Sequence, residues 1–470
     1  MDNKSVVFFV VNIILLPIIL MVGKQSPISI AIFWIASLVV ALMYLRPKFK
    51  ECGILFFLSP CILTWFYSIF NYVTGSLYYS IDVLSSTKLY LDFFRIDSTR
   101  LFLSLCYLNL CNTIVLYIGC KYPLKYYVPV QKTKRPEKVI PSILFLILFF
   151  VVLQFFIIDF SFVGGHSFSS DGKSGGSEAG LNFPLILGVI VLLCHKLNVY
   201  GFNKIIRLSI YSVLIVITAV GSVGSKRELF FMLIGILMVE MVFNNRKMKL
   251  TLRNIIVTTV VIALSVLYIL TASITRGYGS FGVESFSEAI DYVPMYVQSE
   301  TFNVVVGNNF ETPFHYATST IACDYVLSEK IPLLYGSSFL KVLFIPIPRS
   351  VFDYKPQKMV DAFTRAYEPF FRQEGGSYPV SAYSEFLANF HILGILFLVL
   401  FFMGFQKLYI KTMKGAQKGN ISYIYMVPFF ALFLHFVRGS GFESLVIYSI
   451  LAFASIYMAK NILHMLGDRK

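Results

Sequence analysis

The chain has 470 residues, of which 57% are hydrophobic and only 14% charged, whereas soluble domains carry about 25% charged residues. That balance cannot clothe a water-exposed surface, so it excludes a soluble globular protein and makes the bilayer the solvent. The formal net charge of +15 does not signal nucleic acid, because its distribution along the chain follows membrane sidedness.

Apolar runs close to the ~20 residues needed to cross ~30 Å of hydrocarbon as a helix recur along the whole length. They predict twelve spans, at 5–23, 28–45, 53–73, 101–120, 139–158, 182–199, 208–223, 229–243, 254–274, 383–405, 421–437 and 443–460. In lipid the backbone must satisfy its own hydrogen bonds. The expected fold class is therefore all-α, a polytopic helical membrane protein with about twelve transmembrane helices. The first run is followed by Gly23, Lys24 and Gln25 and then by further spans, without a small-residue cleavage site. It is expected to stay in the protein as an anchor.

With the N-terminus placed in the cytoplasm, every second connection is basic. The series runs through Arg46, Lys48 and Lys50, then Lys121, Lys125, Lys132, Lys134, Arg135 and Lys138, then Lys196, Lys204 and Arg207. It continues with Arg246, Lys247, Lys249 and Arg253, then Lys407, Lys411, Lys414 and Lys418, and ends at Arg469 and Lys470. This is the positive-inside asymmetry of an inner or plasma membrane protein with both termini cytoplasmic. Of the seven cysteines, Cys61, Cys106 and Cys111 fall inside spans, Cys52, Cys120 and Cys194 near the cytoplasmic face, and Cys323 in an external loop. No disulfide framework or CxxC metal site is indicated.

The external side has a loop at 74–100, a Gly/Ser-rich loop at 162–180, two tight turns at 224–228 and 438–442, and one segment of over 100 residues at 275–382. That last segment is long enough for a small domain. The organisation read from this is a membrane part over 1–274 with spans one to nine, an external loop domain over 275–382, and a membrane part over 383–470 with spans ten to twelve. Inside the loop, residues 312–330 are expected to be helical. QKMVDAFTRAYEPFFRQ (357–373) predicts an amphipathic helix with Met359, Phe363, Tyr367 and Phe370 on one face. Between them, residues 337–356 form an apolar run too short to span and broken by Pro346 and Pro348. They read as a re-entrant or interfacial segment ending in Arg349, Lys355 and Lys358.

GYGSFG (277–282) matches a dinucleotide pattern but follows a membrane helix rather than a strand, and DGKSGG (171–176) lacks the first glycine of a phosphate loop. His166, His315 and His391 lie far apart in sequence without metal-ligand spacing. Neither a metal nor a cofactor is expected. What stands out is arginine set among glycine and serine at external membrane edges: Gly224-Ser225-Lys226-Arg227, Arg276-Gly277, and Arg438-Gly439-Ser440-Gly441. Small residues allow close approach, and a guanidinium matches phosphate oxygens bidentately. Ionisable groups at membrane depth are costly unless paired, so such a cluster suggests function. Each arginine could instead snorkel to lipid phosphates or pair locally, Arg227 with Glu228 and Arg438 with Glu443. Glu385 is expected in the first turn of the tenth span, facing the helix dipole. A carboxylate partly withdrawn from water there is also a candidate general base, as is His315 in the large loop.

These features resemble the Wzy-type polymerases of O-antigen and capsular polysaccharide repeat units. The resemblance covers nearly the whole chain: about twelve spans with cytoplasmic termini, a dominant loop between the ninth and tenth, and a Gly/Ser-Arg turn before the eighth. It extends to Ile347-Pro348-Arg349 with Lys355-Pro356 and to a Gly-rich lead into SEFLANFHILG. Lys226 departs from the small residue that usually precedes the arginine, which leaves open whether Lys226 or Arg227 meets substrate. The resemblance implies a glycosyltransferase in the bacterial inner membrane with its active site in the periplasm. Its partners would be undecaprenyl-diphosphate-linked oligosaccharides, membrane lipids and a polysaccharide chain-length regulator. Lys226, Arg227, Arg276, Arg349 and Arg438 would hold the diphosphate without a metal, Glu385 or His315 would take the acceptor proton, and Tyr278, Tyr292, Tyr296, Tyr316, Tyr378 and Tyr383 are candidates to stack on sugar rings. The alternatives are an O-antigen ligase, favoured by His315, and a lipid-linked oligosaccharide flippase, disfavoured because charges sit at helix ends rather than along a central cavity.

Overall fold

The computed structural model describes residues 3–80, 88–125, 139–155, 182–221, 226–244, 286–298, 312–344, 355–373 and 375–465, with a few single residues between 263 and 283 and residue 347. Among these the chain is helical throughout, without a strand beyond an isolated bridge between Cys52 and Lys125. We number the helices α1 (Asn3–Val22), α2 (Pro27–Glu51), α3 (Pro60–Ser80), α4 (Lys88–Phe94), α5 (Ser98–Lys121), α6 (Val139–Phe155) and α7 (Asn182–Val199). They continue with α8 (Lys204–Gly221), α9 (Lys226–Asn244), α10 (Phe286–Gln298), α11 (Thr312–Leu327), α12 (Ser337–Leu340), α13 (Met359–Tyr367) and α14 (Pro369–Gln373). The last four are α15 (Ala382–Phe390), α16 (Gly394–Gln417), α17 (Tyr423–His435) and α18 (Phe442–Met465).

Seven of the described helical stretches are long and apolar enough to cross a membrane: α1, α2, α5, α7, α15 joined to α16, α17 with the turn after it, and α18. The protein is thus a helical multi-pass membrane protein. A helix stands at each expected span outside 254–274; within 254–274 the few described residues are helical and the rest lie outside the described residues.

Local signals set several helix starts. Ser26 accepts from the Ser29 amide at 3.3 Å ahead of Pro27, and Asp97 accepts from the Thr99 and Arg100 amides at 3.0 and 3.3 Å. At the centre, α7 is buried on every side from Asn182 to Asn198, as an apolar helix enclosed by others should be. It packs against α6, α9, α17 and α18. Gly188 makes this possible, since a Cβ there would come 2.4 Å from the Ala452 carbonyl oxygen of α18. Polar groups in the bundle find one another. Asn109 donates to the Asn12 carbonyl at 2.8 Å, and the Ser37 hydroxyl lies 2.9 Å from Asn109 Oδ1.

Two expectations need correction. The tenth span is not one helix from 383: His391, at φ 51° and ψ −139°, breaks it into α15 and α16. Gly394 permits the fold-back, because a Cβ there would come 2.4 Å from the Phe386 carbonyl oxygen. The amphipathic helix expected over 357–373 stops at Glu368. Pro369 starts a separate turn that leaves Phe370 exposed, while Met359, Phe363 and Tyr367 are buried. Lys196 and Arg207, near the ends of α7 and α8, are both buried. Arg207 is held by Glu240 at 2.6 Å, inside a network with Asn198 and Tyr211.

The helix expected within 312–330 is α11, and it packs against α3, α5 and α15. Tyr316 is fully buried, accepts from Trp34 Nε1 at 3.4 Å, and packs where Gly75 leaves room on α3. Arg100 at the start of α5 reaches the buried Asp324 at 2.8 Å.

The turn from α17 to α18 is built on Gly439 and Gly441, at φ 98° and 87°. A Cβ on Gly439 would lie 1.7 Å from the Val380 carbonyl oxygen, so this glycine lets the lead into α15 rest on the turn. Gly419 has a similar φ of 88° but open space around it. The left-handed conformation costs a non-glycine residue about 1–2 kcal/mol, and backbone overlap adds about 1–3 kcal/mol. Gly439→Ala should therefore lose about 3 kcal/mol and Gly419→Ala about 1 kcal/mol, read as the temperature at which detergent-solubilised protein stops eluting as a single species. Equal losses would show that the Val380 contact does not matter.

Candidate functional site

The first turn of α18 carries Glu443, an acidic group fully removed from solvent. A lone carboxylate there would cost several kcal/mol, and two ammonium groups answer it. Lys358 Nζ lies 2.9 Å from Glu443 Oε1, and Lys341 Nζ lies 3.4 Å from the same oxygen. Lys358, at the residue before α13, also donates to Ser444 Oγ at 3.2 Å. Lys341 is buried in the 3₁₀ turn that continues α12. Burial pulls its ammonium below the ordinary lysine range despite Glu443. Burial works against the Lys358 ammonium too, but attraction to Glu443 and the hydrogen bond to it prevail and hold it above that range.

The same short segment serves a second carboxylate. Ser338, three residues before Lys341, donates to Glu385 Oε1 at 2.7 Å, and Asn389 donates to Ser338 Oγ at 2.8 Å and to the Glu385 carbonyl at 2.8 Å. Glu385 thus lies in the first turn of α15, capped by Ser381, and is buried like Glu443. Beneath both, Phe339 packs against Phe386, Phe390, Phe401, Phe436 and Phe442 at centroid distances of 5.1 to 6.3 Å. This aromatic floor excludes water from below the charges, so their interactions act in a medium of low polarity.

Of the predicted cations, Arg438 stands half-buried in the turn leading to Glu443. Lys226 and Arg227 open α9, and their side chains lie outside the described residues. One turn further on, Phe231 meets His435 of α17 at 5.8 Å, so the start of α9 and the Arg438 turn share one end of neighbouring helices. Arg276 and Arg349 lie outside the described residues, as do His166, Tyr278, GYGSFG, DGKSGG and the 162–180 loop. His315 is fully buried in α11 with its ring edge-on to Tyr67 of α3 at 5.4 Å. The two candidate bases therefore have different neighbours, Tyr67 for His315 and Ser338 for Glu385. Tyr296, Tyr316 and Tyr383 are buried. Tyr378 remains partly exposed and donates to Glu368 at 2.5 Å.

Lys341, Ser338 and Asn389 were not singled out from the sequence. The signal for Lys341 was a single lysine inside the apolar run SSFLKVLFIPIP, which has no reason to hold a charge unless a carboxylate awaits it. Glu443 stands in the sequence as one possible local partner for Arg438; among the described residues its carboxylate pairs with Lys341 and Lys358. The seven cysteines are separate thiols, and among the described residues no group of His, Cys, Asp and Glu is placed to hold a metal.

No family model matches the chain, and neither a curated protein nor a solved structure matches it.

Breaking a buried ion pair leaves an uncompensated charge and costs about 3–5 kcal/mol. Glu443→Gln should therefore destabilise the detergent-solubilised protein by that amount. Adding Lys341→Met to the same chain should restore part of the loss, because Lys341 is the ammonium for which burial outweighs the attraction to Glu443. Failure of the second substitution to restore any stability would show that the two groups are not coupled.

Proposed function

We propose that the protein is a membrane-embedded glycosyltransferase that polymerises oligosaccharide repeat units carried on undecaprenyl diphosphate, at the membrane face opposite its N-terminus. One observation carries this reading: two lysines converge on a buried carboxylate beside Glu385, at the same end as the Arg438 turn and the start of α9. A lipid-linked diphosphate donor needs cations for its leaving group and a base for the acceptor. It needs neither a nucleotide nor a metal if the cations are supplied by side chains.

In this reading the hydroxyl oxygen of the incoming sugar forms a bond to the anomeric carbon of the growing glycan. The bond from that carbon to the diphosphate breaks, and its electron pair leaves with the diphosphate. Glu385 takes the hydroxyl proton. Arg438 and Arg227 receive the diphosphate oxygens, with Lys341 and Lys358 behind them as point charges. Glu443 keeps the two lysines positioned between turnovers. The apolar floor around Phe339 keeps water, a competing acceptor, away from the anomeric carbon.

The test is a chromosomal replacement in a strain whose surface glycan depends on this chain, with the glycan separated by length on a gel. At unchanged protein level, Glu385→Gln and Arg438→Ala should each lower long-chain product at least about 100-fold and leave core capped by one repeat unit. Arg438→Lys should recover only part, since a point charge does not reproduce the guanidinium fork. Full-length ladders from Glu385→Gln and Arg438→Ala would refute the assignment. Bare core would point to a ligase, and repeat units accumulating on the cytoplasmic side would point to a flippase.

A further inference from the structure

At the opposite end of the bundle, the first turns of α1 diverge from the ends of α2 and α5 and leave a cleft of about 890 Å³. Its depth is apolar. Val7 and Met43 form its outer walls and are 61% and 70% exposed, so the cleft opens sideways onto the apolar surface. Its floor is the stacked pair Phe8 and Tyr44, 4.2 Å apart, closed by a 2.9 Å contact between the Tyr44 and Ser5 hydroxyls. Its rim is basic, with Lys4, Lys48 and Lys121 all lining the opening. Lys48 pairs with Glu51 at 3.1 Å, and Lys121 lies 5.5 Å over the Tyr117 ring. Among the described residues three ammonium groups stand against one carboxylate at this rim, above an apolar slot.

A slot that is apolar toward the hydrocarbon and cationic at the helix ends matches one kind of occupant, a molecule with a long acyl body and an anionic head. We infer that this cleft is a binding site for an anionic glycerophospholipid, its acyl chain lying between Val7 and Met43 and its phosphodiester held by Lys4, Lys48 and Lys121. The site is remote from Glu385 and Glu443 and does not depend on the reading of those residues. The charge rule that makes this face cytoplasmic also places it in the leaflet whose surface is negative.

The probe is phosphatidylglycerol added to the detergent-purified full chain, with bound lipid counted by native mass spectrometry. Retention of phosphatidylglycerol should exceed that of phosphatidylcholine with identical acyl chains by about tenfold or more, and each lysine neutralised should weaken it about fivefold. The triple variant Lys4→Gln, Lys48→Gln, Lys121→Gln should therefore hold the two lipids equally. Met43→Trp, which fills the slot without touching the charges, should also reduce phosphatidylglycerol retention. Equal retention of both lipids by the unaltered chain, undiminished retention by the triple variant, or indifference to Met43→Trp would overturn the site. Displacement of the lipid by excess inorganic phosphate would show a free-anion site and overturn the lipid assignment as well.

Discussion

A carboxylate buried at the head of the last helix sets the terms for the surrounding structure. Glu443 is fully out of water with Lys341 and Lys358 beside it, and those lysines come from the two ends of the segment that leads from α12 to α13. One charge thereby ties α18 to both, and through Ser338 the tie extends to Glu385 and α15. Hydrophobic packing alone would not specify this arrangement, because the aromatic cluster around Phe339 could tolerate sliding. Charge pairs at a defined distance do not. Buried ion pairs are poor sources of net stability but define which groups must meet, and here the groups that must meet are those best suited to the proposed chemistry.

Much of the helical framework was legible because apolar run length is a direct consequence of the solvent. The interruptions were less so. SEFLANFHILGILF reads as continuous helix, and nothing local to His391 announces a break. It follows from Gly394 meeting the Phe386 carbonyl, a contact between two backbones that composition does not report. Arg207 reads only as one charge of a basic connection. Its partner Glu240 stands 33 residues away on another helix, beyond the reach of any local pattern.

The candidate site was legible in part for the same reason. Glu385 and Arg438 stood out because charge is costly at membrane edges, and that argument applied equally to Lys341 and Glu443. What the sequence could not supply was the pairing. Gly439 was read as granting a ligand close approach, yet the backbone that approaches it is Val380. Glycine marks a place where something comes near, without saying what.

The position of α11 bears on how the molecule is assembled. Tyr316 seats against Gly75, Tyr72 and Trp34, all made more than two hundred residues earlier during synthesis. Contacts so distant along the chain carry a large closure cost and form late. Until α11 has been made, the surfaces of α2 and α3 that receive Tyr316 lack that contact. The order of insertion is thus built into the topology: the N-terminal helices form a berth, and α11 closes it only after most of the chain has been made.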